Sequence, residues 1–168
     1  MKKLYLKEMD SILGKLRILC DDDFIIRLMF ENDNLERAIA KLENVFEGVT
    51  VGSENTLACA CASELQAYLD GRLRTFSVKP KFYGTVFDQT VWQGLMGIEY
   101  GKTVAYSALA ASCGVRGARA VGGAVGRNPV PVIAPCHRVI RSDGGLGGFT
   151  GGIQNKQILM TIEGIKFE

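Results

Sequence analysis

VAYSALAASCGVRGARAVGGAVGRNPVPVIAPCHRV, residues 104–139, carries the local signals that shape the second half of this chain. Two short alanine-rich stretches, residues 107–112 and 118–125, are joined by Cys113-Gly114-Val115, and two short helices around a glycine-containing turn predict a helix-turn-helix. Residues 128–135 hold three of the chain's four prolines. Proline fixes φ and disfavours helix in the residue before it, so a stiff, extended loop is expected there. The loop ends at Pro135-Cys136-His137-Arg138-Val139, where the chain's only histidine follows a cysteine. A thiolate is a strong nucleophile, and a neighbouring imidazole makes it available near neutral pH. Adjacent residues on an extended segment point to opposite sides, so His137 is expected to reach Cys136 through a bridging water. An isolated Cys-His pair is more often a structural cysteine beside a surface histidine.

Working outward, residues 144–152 form a glycine-dense loop, and residues 153–163 predict a final helix with Ile158, Leu159 and Ile162 inward. Upstream, Val91, Trp92, Leu95, Met96 and Ile98 mark a helical face with Asp88 near its N-terminus, where a carboxylate is favourable. Residues 71–87, broken at Lys79-Pro80, connect this half to the first. There, the apolar runs 15–20 and 24–30 flank Asp21-Asp22-Asp23 as two strands of an antiparallel hairpin. Leu35, Ile39, Leu42, Val45 and Phe46 repeat at helical spacing behind Asp33 and Asn34 as candidate caps. Leu57, Cys61, Leu65, Tyr68 and Leu69 mark a second helix, stopped by Asp70-Gly71. The expected class is α/β (α+β). A small scaffold domain with a short antiparallel sheet spans residues 1–80, and a mainly helical domain with the helix-turn-helix and the Cys136 loop spans residues 81–168.

Composition agrees with an ordinary globular chain: 168 residues, 47% hydrophobic and 23% charged, which excludes a disordered or collagen-like polymer. No apolar run approaches the ~18 residues needed to cross a bilayer, so no membrane association is expected. The charged N-terminus does not read as a signal peptide. Five irregularly spaced cysteines predict a reducing compartment, the cytoplasm (or the nucleus, in a eukaryote), and at least one free thiol. The net charge of +2 is unevenly placed: residues 1–80 carry −2 and residues 81–168 carry +4, and 16 of the 20 glycines lie in the second part. A charge of +4 over 88 residues is modest and within ordinary fluctuation; the sharper reading is that this half meets a polyanion at close range.

Against this background, residues 64–164 resemble the O6-alkylguanine-DNA alkyltransferase family. The matching strings are Phe87-Asp88-Gln89-Thr90-Val91-Trp92, Tyr100-Gly101-Lys102-Thr103, Arg119-Ala120-Val121-Gly122-Gly123-Ala124, Asn128-Pro129 and Pro135-Cys136-His137-Arg138-Val139-Ile140, followed by Gly151-Gly152, Lys156 and Glu163-Gly164. The resemblance implies direct-reversal repair of double-stranded DNA. Cys136 would accept the alkyl group from O6 of guanine, or less readily O4 of thymine, once per molecule. His137 would take the thiol proton through a water, Glu163 would orient His137, and Asn128 would hold the active-site loop. The base must leave the duplex to reach a buried thiol. Arg119 would fill the gap in the stack, with Ala118, Ala120, Gly122 and Gly123 leaving the helix bare enough for a minor groove. Tyr106 would contact DNA and donate a hydrogen bond to the departing guanine. Val139, Phe149, Thr150 and Lys156 would belong to the substrate site, with no cofactor and a monomeric protein.

The chain departs from the family pattern in places. Phe149-Thr150 replaces Tyr-Ser, Glu99 and Val115 replace prolines, and Ala105 replaces serine. Thr150 keeps a hydroxyl for O6 and adds a methyl that narrows the pocket, while Val115 is expected to loosen the turn before the recognition helix. A structural zinc, present in some members, is not expected: the one histidine is engaged elsewhere, and Cys20 with Cys59-x-Cys61 lacks the usual spacing. Cys20 and Cys113 read as small core residues. The alternatives are a non-catalytic helix-turn-helix protein that recognises alkylated DNA, a plain regulator, and a cysteine hydrolase. A regulator needs several side chains that reach base edges, and residues 118–125 offer only Arg119.

Overall fold

The computed structural model describes residues 1–167. They form two compact units, the first Met1–Tyr83 and the second beginning at Gly84. The first unit is a four-stranded sheet in the order β3-β2-β1-β4, built from β1 (Lys2–Met9), β2 (Leu16–Cys20), β3 (Ile25–Met29) and β4 (Val49–Gly52), with helices α1 (Leu35–Glu43) and α2 (Thr56–Leu69). The hairpin expected at residues 15–30 is present, and the first of its three aspartates closes it through side-chain bonding. Asp21 Oδ1 accepts the N–H groups of Asp23 (2.9 Å) and Phe24 (2.7 Å), the turn-forming habit of aspartate.

The sheet is not purely antiparallel, which corrects the reading from sequence. β1 and β4 pair in parallel, with Lys2 opposite Val49 and Leu4 opposite Val51. Neither strand announces itself: β1 carries three lysines and a glutamate, and β4 has only four residues. Asn34 and Asn55 cap the helices, each accepting an N–H three residues on at 2.8 Å. Ala38 and Leu42 of α1 pack on Leu4, Leu19, Ile26 and Met29. Cys20, one residue after Leu19, turns to α2, where its thiol meets Asn55 Oδ1 at 3.3 Å.

The second unit is mainly helical: α3 (Val86–Leu95), α4 (Tyr106–Cys113), α5 (Ala118–Gly126) and α6 (Ile153–Ile162), with a two-residue parallel pair, β5 (Val104–Ala105) and β6 (Val139–Ile140). Thr85 caps α3, accepting the Asp88 N–H at 3.1 Å, and Asp88 lies in the first turn as expected. In α6 the buried side chains are Lys156, Leu159 and Met160, whereas Ile158 and Ile162 are half-buried. The α4–α5 pair is the expected helix-turn-helix. Gly114 closes α4 in the left-handed conformation (φ 68°), and the Val115 N–H donates to Ala110 O at 3.1 Å. A proline there could not make that bond, so Val115 anchors the turn rather than loosening it. Trp92 Nε1 donates to Ala124 O at 2.8 Å, tying α3 to α5. Among the described residues no helix is long and apolar enough to cross a membrane.

Candidate active site

Every residue from Asn128 to Val139 is buried, and a buried loop must satisfy its own backbone. Asn128 does this for its loop. Its Nδ2 donates to Ala134 O at 2.8 Å, and its Oδ1 accepts the Val130 N–H at 3.0 Å. The loop is therefore folded back on itself rather than extended. The Ala134 N–H donates to Val130 O at 2.8 Å, and Val132 is held at φ 73°, a conformation that β-branched residues avoid. Cys136–Arg138 then form one turn of 3-10 helix. The expected alternation of Cys136 and His137 along an extended strand gives way to a turn, because two side-chain bonds from Asn128 outweigh the extended bias of the prolines.

Cys136 faces a cavity of about 270 Å³ whose walls include Tyr106, Gly122, Phe149 and Thr150. Burial pushes its thiol up to about 11, against opposing pulls from the Asn128 side chain and the Lys156 cation. At neutral pH the sulfur is thus a thiol, and its reaction requires a base. His137, fully buried, lies next to it. The ring Nε2 pairs with Glu163 Oε2, so Nε2 bears the proton and Nδ1 is the basic nitrogen. Burial holds His137 below its ordinary value, against the pull of Glu163 and with the help of the Arg138 and Lys156 charges. Its imidazole is uncharged at pH 7.

Glu163 caps the end of α6 and is itself tightly held. Its Oε1 accepts the Gly101 N–H and Arg138 Nε, both at 2.8 Å. Gly101 has φ 76°, and a Cβ there would meet the Glu163 carbonyl at 3.3 Å, so this turn calls for glycine. Lys156, 0% exposed, donates to Val139 O at 2.7 Å and to Leu146 O, so it staples the glycine-dense loop to β6. Burial draws its ammonium down to about 8. Of the four residues expected at the substrate site, Phe149 and Thr150 line the cavity, whereas Val139 and Lys156 are not in its lining.

Tyr106, the first residue of α4, is half-buried between α5 and the loop. Its ring lies 3.8 Å from where a Gly122 Cβ would be, and its hydroxyl lies 2.9 Å from where a Gly147 Cβ would be. Burial and the nearby Cys136 raise its pKa. On α5, Ala118, Arg119, Ala120 and Gly123 are exposed and Gly122 is half-buried. The helix glycines are not demanded by internal packing. A Cβ at Gly122 would make ordinary contact, at Gly123 it would press only on the end of the Arg127 side chain, and at Gly126 it would meet nothing within 4 Å. Each nonetheless costs a helix about 1 kcal/mol relative to alanine. Reading by sequence missed Arg138, Gly101 and the Arg127–Asp88 pair (2.7 and 3.3 Å). Gly101, Arg138 and Asp88 stand within the matching strings with no site role attached, and Arg127 lies outside them.

Comparison with known proteins covers both units. Residues 4–81 match the family described as 6-O-methylguanine DNA methyltransferase, ribonuclease-like domain, and residues 86–165 match 6-O-methylguanine DNA methyltransferase, DNA binding domain. A methylated-DNA--protein-cysteine methyltransferase of Mycobacterium leprae is 36% identical, with 95% of this chain and 92% of that protein aligned. One from Haemophilus influenzae is 36% identical over 99% of this chain and 90% of its own length. Among solved structures, the O6-methylguanine methyltransferase of Mycobacterium tuberculosis superposes with a TM-score of 0.81 at 33% identity, covering 95% of this chain and 92% of that one. The same organism's protein in complex with DNA gives 0.80 at 32% identity, covering 96% and 92%.

Proposed function

Because this chain belongs to the 6-O-methylguanine DNA methyltransferase family, we propose that it repairs alkylated DNA directly, moving an alkyl group from O6 of guanine to the sulfur of Cys136. The observation that carries this reading is one buried thiol on the wall of a cavity, backed by a neutral histidine and a buried carboxylate. The thiol proton passes to Nδ1 of His137, through a water where the two do not touch. Sulfur attacks the alkyl carbon in line, the new S–C bond forms, and the C–O6 bond breaks with its electron pair staying on O6 of the departing guanine. Glu163 stabilises the imidazolium that results, as the third member of a triad does. Tyr106 lies against the cavity and is protonated, so it can supply a hydrogen bond or proton to the guanine as charge develops. The thioether has no leaving group that water can displace, so each molecule reacts once.

A guanine inside a duplex cannot enter this cavity, and so the reading includes base flipping. The bare outer face of α5 supports it: three helix glycines with no internal packing need, next to exposed Arg119, suit a backbone that approaches a narrow groove. O4-alkylthymine is the slower second substrate, and the protein acts as a monomer. Mass spectrometry after incubation with duplex DNA containing O6-methylguanine tests the whole reading. One methyl should be found on the Cys136 peptide, with no further turnover. Repeated product release would mean hydrolase chemistry, and an unmodified Cys136 in the complex would mean recognition without transfer.

A further inference from the structure

Arg138 is buried, with 7% of its surface exposed, and nothing above gives it a part in the reaction. A buried guanidinium needs a reason, because desolvating it is repaid only by good geometry. Its partners are specific. Nε donates to Glu163 Oε1 at 2.8 Å and to Oε2 at 3.2 Å, Nη1 donates to Ile98 O at 2.5 Å, and the guanidinium carbon lies 5.6 Å from the centre of the Tyr100 ring. Tyr100 in turn donates from its hydroxyl to Ile162 O at 3.2 Å, beside Glu163. Three fixed contacts on different segments hold one planar group, and that group holds the carboxylate on which His137 rests.

We propose that Arg138 is a positioning residue for the transfer: it fixes Glu163 against His137 and takes up part of the carboxylate's charge, so that His137 rests as an uncharged base. A carboxylate shared between an arginine and a histidine still orients the ring but draws the proton less strongly than an undivided one. Without Arg138, the full charge of Glu163 would face the imidazole and favour the cation, which cannot accept the thiol proton. The other charged group facing His137 is Lys156 from α6, which is the same in both proteins. The inference rests on the reading of His137 as the base.

The single histidine makes the test clean, since one set of ring resonances reports its titration. In Arg138→Gln, the NMR midpoint of His137 should rise by about one pH unit. The acid limb of single-turnover methyl transfer from a short duplex containing O6-methylguanine should move with it, slowing transfer about tenfold below the midpoint. Arg138→Lys keeps the charge and should recover most of the midpoint shift. A purely structural arginine would lower the melting temperature and leave the midpoint and the acid limb in place, and that result overturns the proposal. Glu163→Gln separates the two readings. If it slows transfer while Arg138→Gln keeps the unmodified profile, only the assignment of Arg138 fails. If both variants keep that profile, the His137 relay fails with it. Should Arg138→Gln not fold, the unmodified protein still decides: the Arg138 Nε–H resonance should shift with the His137 midpoint, and an Nε–H that ignores it refutes the sharing.

Discussion

The two units solve opposite problems. The first keeps its polar side chains at the surface and buries apolar ones in regular sheet and helix; among the described residues only Asp21 is a buried polar group there. The second buries Asp88, Asn128, His137, Arg138, Lys156 and Glu163, and does so around a loop with almost no regular structure. Buried polar groups are expensive unless each finds a partner. Their concentration in one unit marks where the molecule trades easy stability for chemistry. The first unit is therefore held by apolar packing, whereas the second contains a network in which removing one member leaves others uncompensated.

The largest effect should come from the atom that the network surrounds. Cys136→Ala is expected to abolish transfer completely while retaining binding to alkylated duplex, checked by intact mass and by fluorescence anisotropy. Any remaining transfer would place the nucleophile elsewhere. Next, Leu19→Ala in the first unit and Lys156→Met in the second should each destabilise by about 3 kcal/mol, the former through a cavity and the latter through stranded carbonyls. Denaturant titration measures both. The comparison is sharpened by the rates: the folded fraction of Leu19→Ala should transfer at the normal rate, whereas Lys156→Met should be slower because the loop before Phe149 is no longer stapled. Equal rates would mean that the chemistry does not depend on the network.

Arg119→Ala touches neither core, so it should leave the melting temperature alone. It is expected to slow transfer from duplex DNA about tenfold, equivalent to about 1.4 kcal/mol of barrier, with little effect on free O6-benzylguanine. Equal losses on both substrates would remove Arg119 from the flipping step. The smallest effect is a pH dependence of stability. Burial depresses His137 below 6.5, so as pH falls from there the unfolded chain binds a proton that the folded chain refuses. Stability should decline with falling pH through that window, by at most about 1.4 kcal/mol per pH unit. His137→Asn should flatten that part of the curve, and chemical denaturation between pH 7.5 and 5.5 would reveal it.

Much of this could be read from the letters, and the misses share a cause. The hairpin, both scaffold helices and the helix-turn-helix stand in local patterns of period and punctuation, and they are found within a few residues of where they are expected. β1 and β4 were invisible because a partner across the sheet, not a local preference, makes each a strand. The 128–135 loop misled for the reverse reason: proline's local bias is real, yet Asn128 overrides it from inside the loop. In the candidate site, the motif letters named Cys136, His137, Glu163 and Asn128 as chemically expressive types. Arg138 and Gly101 looked ordinary until the fold brought them to one carboxylate.

Local sequence sets the kinds of groups available, a lone histidine beside a cysteine and a helix poor in large side chains, because side-chain chemistry and helical period are local properties. Their states come from the three-dimensional contacts. The tertiary structure made Cys136 a thiol at rest and His137 an uncharged base, since a pKa answers to burial and to charges that the chain brings from far away. It also showed that the glycines of α5 are not required by packing within this unit, which no stretch of sequence can reveal.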